Sequence, residues 1–457
     1  MRHSTVAISG SLEAPHIRHP IAPTPSEGIA EASVQARFEV VAPARRVLTA
    51  HQGTIVVVGM LAVAGLAYIL RSPSVITGPA LWAEDGTVFF KDAVERGWAS
   101  MFTPYGGQLI VFPRTVAALV APLPAAMQPG LYAAAAMAAA VLSCGIVLSS
   151  RWRDAAPIPV RFACLLALVC APGVLEAYGT LANAHWWLGV GLVLLAMLRD
   201  PSVRHTRVGE VVFAAVAGTS GFAAIFAIPA LVVRALRNRS RHSWTVAGVA
   251  VLGVAVQMTY LLGSARRGNF AEIASDPVAA VLVLAKRVLA TAALGETNLA
   301  DLWPLRSPTP TAIIVVVVLV TAMGMIWMRG ARLEIGALLL ALLGSWFLAL
   351  WALTQPGGSL DMLFWPTAAG RYFLVPIAIL YISLLVARPI GRAWTPLVAV
   401  ACVLLLTGIV SDYRLPLWRV AVDPEAAHWE SFARCVDLGG SRCSTTIPPG
   451  WSLEVSR

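Results

Sequence analysis

Charge is scarce in this sequence. Only 13% of its 457 residues are Asp, Glu, Lys or Arg, whereas soluble globular domains carry about 25%. That deficit excludes an ordinary water-facing surface. Acids are scarcer than bases, 24 against 34, and the formal net charge is +10. In a soluble protein this balance would suggest nucleic acid. Here the arginines sit in short turns between apolar blocks, with no basic stripe interleaved with aromatics, so nucleic acid is not an expected partner. A Walker motif, a dinucleotide fingerprint, paired histidines at zinc spacing and a nucleophile elbow are all missing. So are the strand-period alternation of an outer-membrane barrel and any internal repeat. No apolar run opens the chain, so a cleavable signal peptide is not expected, and the first helix is expected to act as an uncleaved anchor.

Apolar residues make up 58% of the chain and come in blocks. A helix of about 20 apolar residues crosses a hydrocarbon core while satisfying its own backbone hydrogen bonds. The blocks predict an all-α fold, a polytopic transmembrane helical bundle of about 9–11 membrane helices. They run from Thr54 to Leu70, Leu131 to Leu148, Phe162 to Tyr178, Trp186 to Leu198, Trp244 to Leu262, Thr311 to Met328, Ile335 to Leu353, Tyr372 to Val386 and Thr395 to Val410. Val208 to Val233 has basic residues at both ends and Gly218-Thr219-Ser220-Gly221 in its middle, which predicts a broken hairpin rather than a crossing.

Arginine placement orients this array. Arg37, Arg45 and Arg46 put the N-terminus in the cytoplasm. Arg151, Arg153 and Arg161 mark a cytoplasmic turn, as do Arg199, Arg204 and Arg207, then Arg234, Arg237, Arg239 and Arg241, then Arg329 and Arg332, and finally Arg388 and Arg392. Residues 1–50, polar and rich in Pro, Ser and Ala, read as a disordered cytoplasmic segment. Residues 51–412 form the membrane domain, with a first external loop over 71–124 and a second external segment from Gly263 to Pro310 that carries an amphipathic stretch near Val278 to Leu294. Residues 413–457 are a short external tail. Cys144, Cys164, Cys170 and Cys402 lie in apolar blocks and read as packing residues. Cys435 and Cys443, in the tail, are expected to form a disulfide in an oxidising space, which agrees with the arginine topology and with residence in the cytoplasmic (inner) membrane.

The polar residues with chemistry to offer fall on the external side. Trp82-Ala83-Glu84-Asp85-Gly86 puts two adjacent carboxylates just beyond the first helix. They are candidates for general-base work or for a divalent cation; the alternative is a turn or a helix cap. Thr87 to Gly97, with Lys91, is weakly amphipathic and reads as interfacial. Arg114 lies in the apolar run Leu109 to Leu123, where burial in lipid would cost about 2.5–3.5 kcal/mol. It is therefore expected to sit at the interface or face a polar cavity, as a candidate ligand for a lipid phosphate; the alternative is an interfacial anchor reaching to headgroups. His185, with Asn183, Trp186 and Trp187, forms an external turn suited to phosphate contact or proton transfer, or else an aromatic belt. Arg266, Arg267, Lys286 and Arg287 make the second external segment basic, read as a solvated face. Gly370-Arg371-Tyr372-Phe373 stands at the mouth of a late helix, and Asp361 is a weaker acid candidate.

The many helices, the acids just after the first of them, the interfacial stretches that follow, Pro104-Tyr105, Pro113-Arg114, Gly370-Arg371-Tyr372-Phe373 and the closing Pro449-Gly450-Trp451 together resemble bacterial members of the GT-C superfamily of membrane glycosyltransferases. The resemblance covers the chain from about Thr54 onward. It implies transfer of a sugar from a polyprenyl-phosphate donor, on the outer face, to a glycan, lipid or protein acceptor of the cell envelope, with inversion. It further implies that Asp85, with Glu84 as partner or alternate, is the base. Arg371 and Arg114, with His185 and Lys91 behind them, would hold the donor phosphate, and Trp82, Tyr105 and Tyr372 would line the substrate. Two other classes compete. One is a lipid or glycan transporter (flippase), for which the broken hairpin is the one feature. The other is a catalytically silent membrane partner in surface polysaccharide assembly.

Overall fold

The computed structural model describes residues 53–71, 73, 80–152, 156–263, 275–329, 332–350, 358–365, 368–385, 395–413 and 426–456. The segment 1–50 and Arg153, Arg266, Arg267, Arg388 and Arg392 lie outside the described residues. The chain divides into two compact units, Met1–Val58 and Gly59–Arg457. Of the first, only the start of helix α1 (Gly53–Arg71) is described.

The second unit is built almost entirely of helices. After α1 come α2 (Lys91–Arg96), α3 (Val111–Val120), α4 (Gln128–Gly145), α5 (Ile158–Val169), α6 (Ala184–Met197), α7 (Arg204–Thr219), α8 (Ile228–Asn238) and α9 (Arg241–Leu262). They are followed by α10 (Pro277–Leu284), α11 (Thr291–Leu302), α12 (Pro310–Arg329), α13 (Arg332–Leu350), α14 (Leu374–Leu385), α15 (Thr395–Asp412) and α16 (Ala426–Asp437). Among the described residues, five helical stretches are long and apolar enough to cross a membrane: Gly53–Arg71, Ala125–Leu148, Arg241–Leu262, Pro277–Leu302 and Pro310–Met328. Shorter apolar helices stand between and after them. Their outward faces keep large apolar side chains exposed, such as Leu142, Leu252, Val317 and Val403, a pattern suited to an apolar surrounding.

The tail, over its described residues, folds into α16 and an antiparallel hairpin, β1 (Arg442–Ile447) and β2 (Trp451–Ser456), with Cys443 opposite Val455 and Ile447 opposite Trp451. Cys435 and Cys443 form the expected disulfide, which joins α16 to β1. Three expectations change. The expected span from Phe162 to Tyr178 stops at Val169, because Pro172-Gly173 cannot continue a helix. The stretch Val278 to Leu294 belongs to a longer apolar segment, Pro277–Leu302, which doubles back. Gly295 takes a non-helical φ of 76° inside it. Asp276 before the segment meets Arg306 after it at 2.6 Å. A straight helix of this length would hold its ends about 39 Å apart. Finally, Lys286 and Arg287 are not a solvated face. Both are buried. Lys286 donates to the carbonyls of Trp303, Leu305 and Phe364 at 2.7–3.0 Å, and Arg287 donates to those of Trp365 and Ala368 and pairs with Glu296.

The hairpin from α7 to α8 is broken where the sequence breaks it. The helix stops at Thr219, and Gly221 has φ +116°, a conformation that glycine adopts without steric cost. At the end of α6 away from His185, arginines and acids gather. Arg234 pairs with Glu210 at 2.7 Å and Asp200 at 3.2 Å, Arg237 pairs with Glu334 at 3.0 Å, and Arg237 also caps the carbonyls of Met197 and Leu198. Hydrogen bonds from Ser240, Ser243 and Asn238 and the charge of Arg234 hold the Asp200 carboxyl below its usual range despite the opposing effect of burial. Two of the arginines read as topology markers, Arg234 and Arg237, are therefore fixed by ion pairs at one end of α6, about 21 Å along the helix from its other end.

Candidate active site

The acid loop is positioned by its neighbours rather than by regular helix capping. Ala83 has φ +36°, a left-handed conformation that costs a non-glycine residue about 1–2 kcal/mol. Its N–H donates to the carbonyl of Pro448 at 2.7 Å, and Thr87 Oγ1 donates back to the Ala83 carbonyl at 3.1 Å. Asp85 is buried, and its two carboxylate oxygens accept the backbone N–H groups of Leu181 (3.0 Å) and Ala182 (2.7 Å). The carboxylate thus joins the first loop to the turn that carries Asn183 and His185. Glu84, one residue earlier and half-buried, faces the other way into a cavity of about 90 Å³.

Glu84 shares that cavity with Phe89, Tyr105, Gln108, Asn183, His185, Trp186, Phe222, Leu348, Arg371 and Tyr372. The charges of Glu84 and Arg371 act on each other across it. Arg371 makes a long ion pair with Glu176 at 3.6 Å and lies over the ring of its neighbour Tyr372. Trp186 stands edge-on to Tyr372, centroids 5.0 Å apart, and tilted against His185 at 5.0 Å. His185 Nδ1 lies 2.8 Å from the carbonyl of Ala182. A carbonyl can only accept, so Nδ1 carries the proton and Nε2 keeps its lone pair. The opposite wall is the second half of the first loop. Gln108 Oε1 accepts the N–H of Phe222 at 3.1 Å, Ser220 Oγ accepts that of Phe112 at 3.0 Å, and Gln257 bonds both backbone groups of Leu109 at 2.6 and 2.7 Å. The break in the α7–α8 hairpin therefore receives the first loop: Gln108 of that loop satisfies the Phe222 N–H, and Ser220 of the break satisfies the Phe112 N–H.

Of the expected site residues, Glu84, Tyr105, His185, Arg371 and Tyr372 come together, from four parts of the chain. Asp85 does not face the cavity. Neither does Trp82, which is buried, nor do two expected phosphate ligands. Arg114 is buried against Asp92 at 2.8 Å and over the ring of Phe89, so it supports the cavity wall from behind. Lys91 pairs with Glu95 at 3.6 Å on the outside of its helix. Asp361 pairs with Arg306 at 2.8 Å, away from the site. Gln108, Phe222, Glu176 and Gln257 went unremarked in the sequence. The one available signal was Gln257, a polar residue inside the apolar run of α9. No group of three or more His, Cys, Asp or Glu suited to a metal exists among the described residues. The cavity wall supplies a single carboxylate with an arginine beside it, a poor donor set for a divalent cation.

Comparison of the chain with family models, with curated proteins and with solved structures gives no match.

Proposed function

We propose that this protein is an integral membrane glycosyltransferase that moves a sugar from a polyprenyl-phosphate donor to a cell-envelope acceptor on the outer face of the cytoplasmic membrane. The observation that carries the reading is the convergence of Glu84, His185 and Arg371 on one aromatic-lined cavity. Aromatic faces suit the apolar faces of a sugar ring, a guanidinium suits a phosphate, and a carboxylate beside them suits a hydroxyl about to lose its proton. The five long apolar stretches and the exposed apolar faces support residence in a membrane. The disulfide of the tail supports an oxidising environment for the cavity side.

In this reading Glu84, not Asp85, is the base, since the Asp85 oxygens are engaged by backbone N–H groups. Glu84 accepts the proton of the acceptor hydroxyl as its oxygen attacks the anomeric carbon. The bond from that carbon to the phosphate oxygen breaks, and the polyprenyl phosphate leaves with the electron pair. Arg371 stabilises the charge that develops on it. Direct displacement inverts the anomeric configuration. His185 Nε2 accepts from a sugar hydroxyl, and so does Asn183 Oδ1, whose amide nitrogen donates to the Glu176 carbonyl and Thr180 Oγ1.

A second reading, the silent assembly partner, draws on the structural role of Asp85, which explains half of the acid pair without catalysis. Purified protein reconstituted with polyprenyl-phosphate sugars and envelope acceptors separates the two. Release of polyprenyl phosphate by wild type and its loss in a folded Glu84→Gln variant support the enzyme. Absence of turnover with every donor, from a folded and monodisperse protein, moves the reading to the silent partner.

A further inference from the structure

Glu84 sits between two constraints. Behind it Asp85 is bonded to the 181–182 backbone; ahead of it Ala83 is held at φ +36°. A left-handed alanine persists only where its surroundings over-determine it. Here the surroundings are the C-terminal segment. The carbonyl of Pro448 takes the Ala83 N–H at 2.7 Å. The tip of the hairpin occupies the space a side chain would need at Gly86, where a Cβ would come within 2.4 Å of Ile447 Cδ1 and 3.6 Å of Leu453. Phe90 packs on Trp429 and Phe432 of α16, with ring centroids 5.7 and 6.0 Å apart. Asp437 accepts the N–H of Ala125 at 3.0 Å, and Glu95 accepts that of Ser456 at 3.0 Å.

An isolated two-stranded hairpin is marginally stable in water. This one is tied to α16 by the Cys435–Cys443 disulfide. Gly440 lies against both sulfurs, where a Cβ would come within 2.7 Å of Cys435 Sγ. We infer that residues 426–456 form a clamp that sets the position of Glu84, and that the clamp closes only when Cys435 and Cys443 are oxidised. Closure is a dithiol oxidation. Two thiols lose two protons and two electrons to a disulfide-exchange partner, which is reduced to a dithiol. Ile447 and Leu453 are positioning residues, acting on Glu84 through Gly86 and Ala83. The consequence for turnover rests on the glycosyltransferase reading: the base is set only on the oxidising side of the membrane, so transfer is confined there. The clamp itself does not rest on that reading.

Hydrogen exchange of the folded, full-length protein, read by mass spectrometry before and after treatment with a phosphine reductant, tests the clamp directly. Reduction is expected to speed exchange over 81–90 about tenfold or more while leaving 241–262 unchanged, as befits a local opening. Faster exchange over 442–456 with 81–90 unchanged overturns the inference. A Cys435→Ser/Cys443→Ser variant gives the same measurement should the reductant fail to reach the bond. A second readout splits positioning from mere stability. Ile447→Ala is expected to lower kcat about tenfold with KM unchanged, and Ile447→Val to restore it, because displacing a base costs transition-state rather than ground-state binding. Should wild type turn over no donor, the function falls, while the exchange measurement still decides the clamp.

Discussion

The carboxylate of Asp85 accepts the backbone N–H of Ala182 at 2.7 Å. That bond, with its companion to Leu181, joins two parts of the chain nearly a hundred residues apart. It also divides the labour of an acidic pair that looks equivalent on paper: one acid holds the site together and the other faces it.

Asp85→Asn is therefore expected to act on stability. An amide keeps one acceptor oxygen but presents its NH₂ to a backbone N–H, leaving a buried donor unsatisfied. The cost is about 1–3 kcal/mol. Thermal unfolding in detergent should show a lowered midpoint, together with weakened protection over 178–187 in hydrogen exchange. An unchanged midpoint would contradict the latch.

Glu84→Gln should leave that midpoint within error and remove the reaction. Loss of a general base lowers kcat by about 10²–10⁴-fold. Donor binding, measured separately by retention of a labelled polyprenyl-phosphate sugar, should change little. Turnover surviving at wild-type rate would require the base to lie elsewhere.

Arg371→Ala removes the positive group facing Glu84 across the cavity. A charge-assisted hydrogen bond contributes about 1.5–3 kcal/mol, so donor affinity should fall about tenfold to a hundredfold. Lys at the same position should recover only part of the loss, because it is a point charge without the planar fork. The matching substitution Lys91→Ala, on the outer face of its helix, should leave donor affinity unchanged.

Gly221→Ala tests the socket formed by the hairpin break. A Cβ there would come within 3.0 Å of both Gln108 Oε1 and His185 Cδ2, and φ +116° disfavours any L side chain. The expected cost is about 1–3 kcal/mol. The observable is a joint loss of stability and donor binding, since the same glycine supports both cavity walls. Gly248→Ala, on α9 with open space around it, serves as the neutral control.

Much of this architecture was legible in the residues. Period and block length located most of the helices, and Gly218-Thr219-Ser220-Gly221 marked the hairpin break. Seven cavity residues were legible too, Glu84, Tyr105, Asn183, His185, Trp186, Arg371 and Tyr372, because polar and aromatic residues are costly near lipid and so stand out against apolar blocks. The doubling back at Gly295 was not legible. Pro277 to Leu302 reads as one mainly apolar run with Lys286, Arg287, Glu296 and Asp301 set into it, and the backbone of Gly295 and the meeting of Asp276 with Arg306 show that its ends come together.

What the sequence determined by itself is local. Hydropathy blocks commit a chain to helices long enough for a membrane, because unsatisfied backbone groups there are prohibitive, and two cysteines in a polar tail commit it to a bond. What only the tertiary structure decided is which of two adjacent acids faces a cavity, and which arginine faces it too. Glu84 and Asp85 differ by a single rotation about the helix. The choice depends on backbone N–H groups at 181–182 and on a carbonyl at Pro448, partners brought in by long-range packing. Arg114 and Arg371, alike in their apolar settings, part ways because one meets Asp92 and the other the cavity.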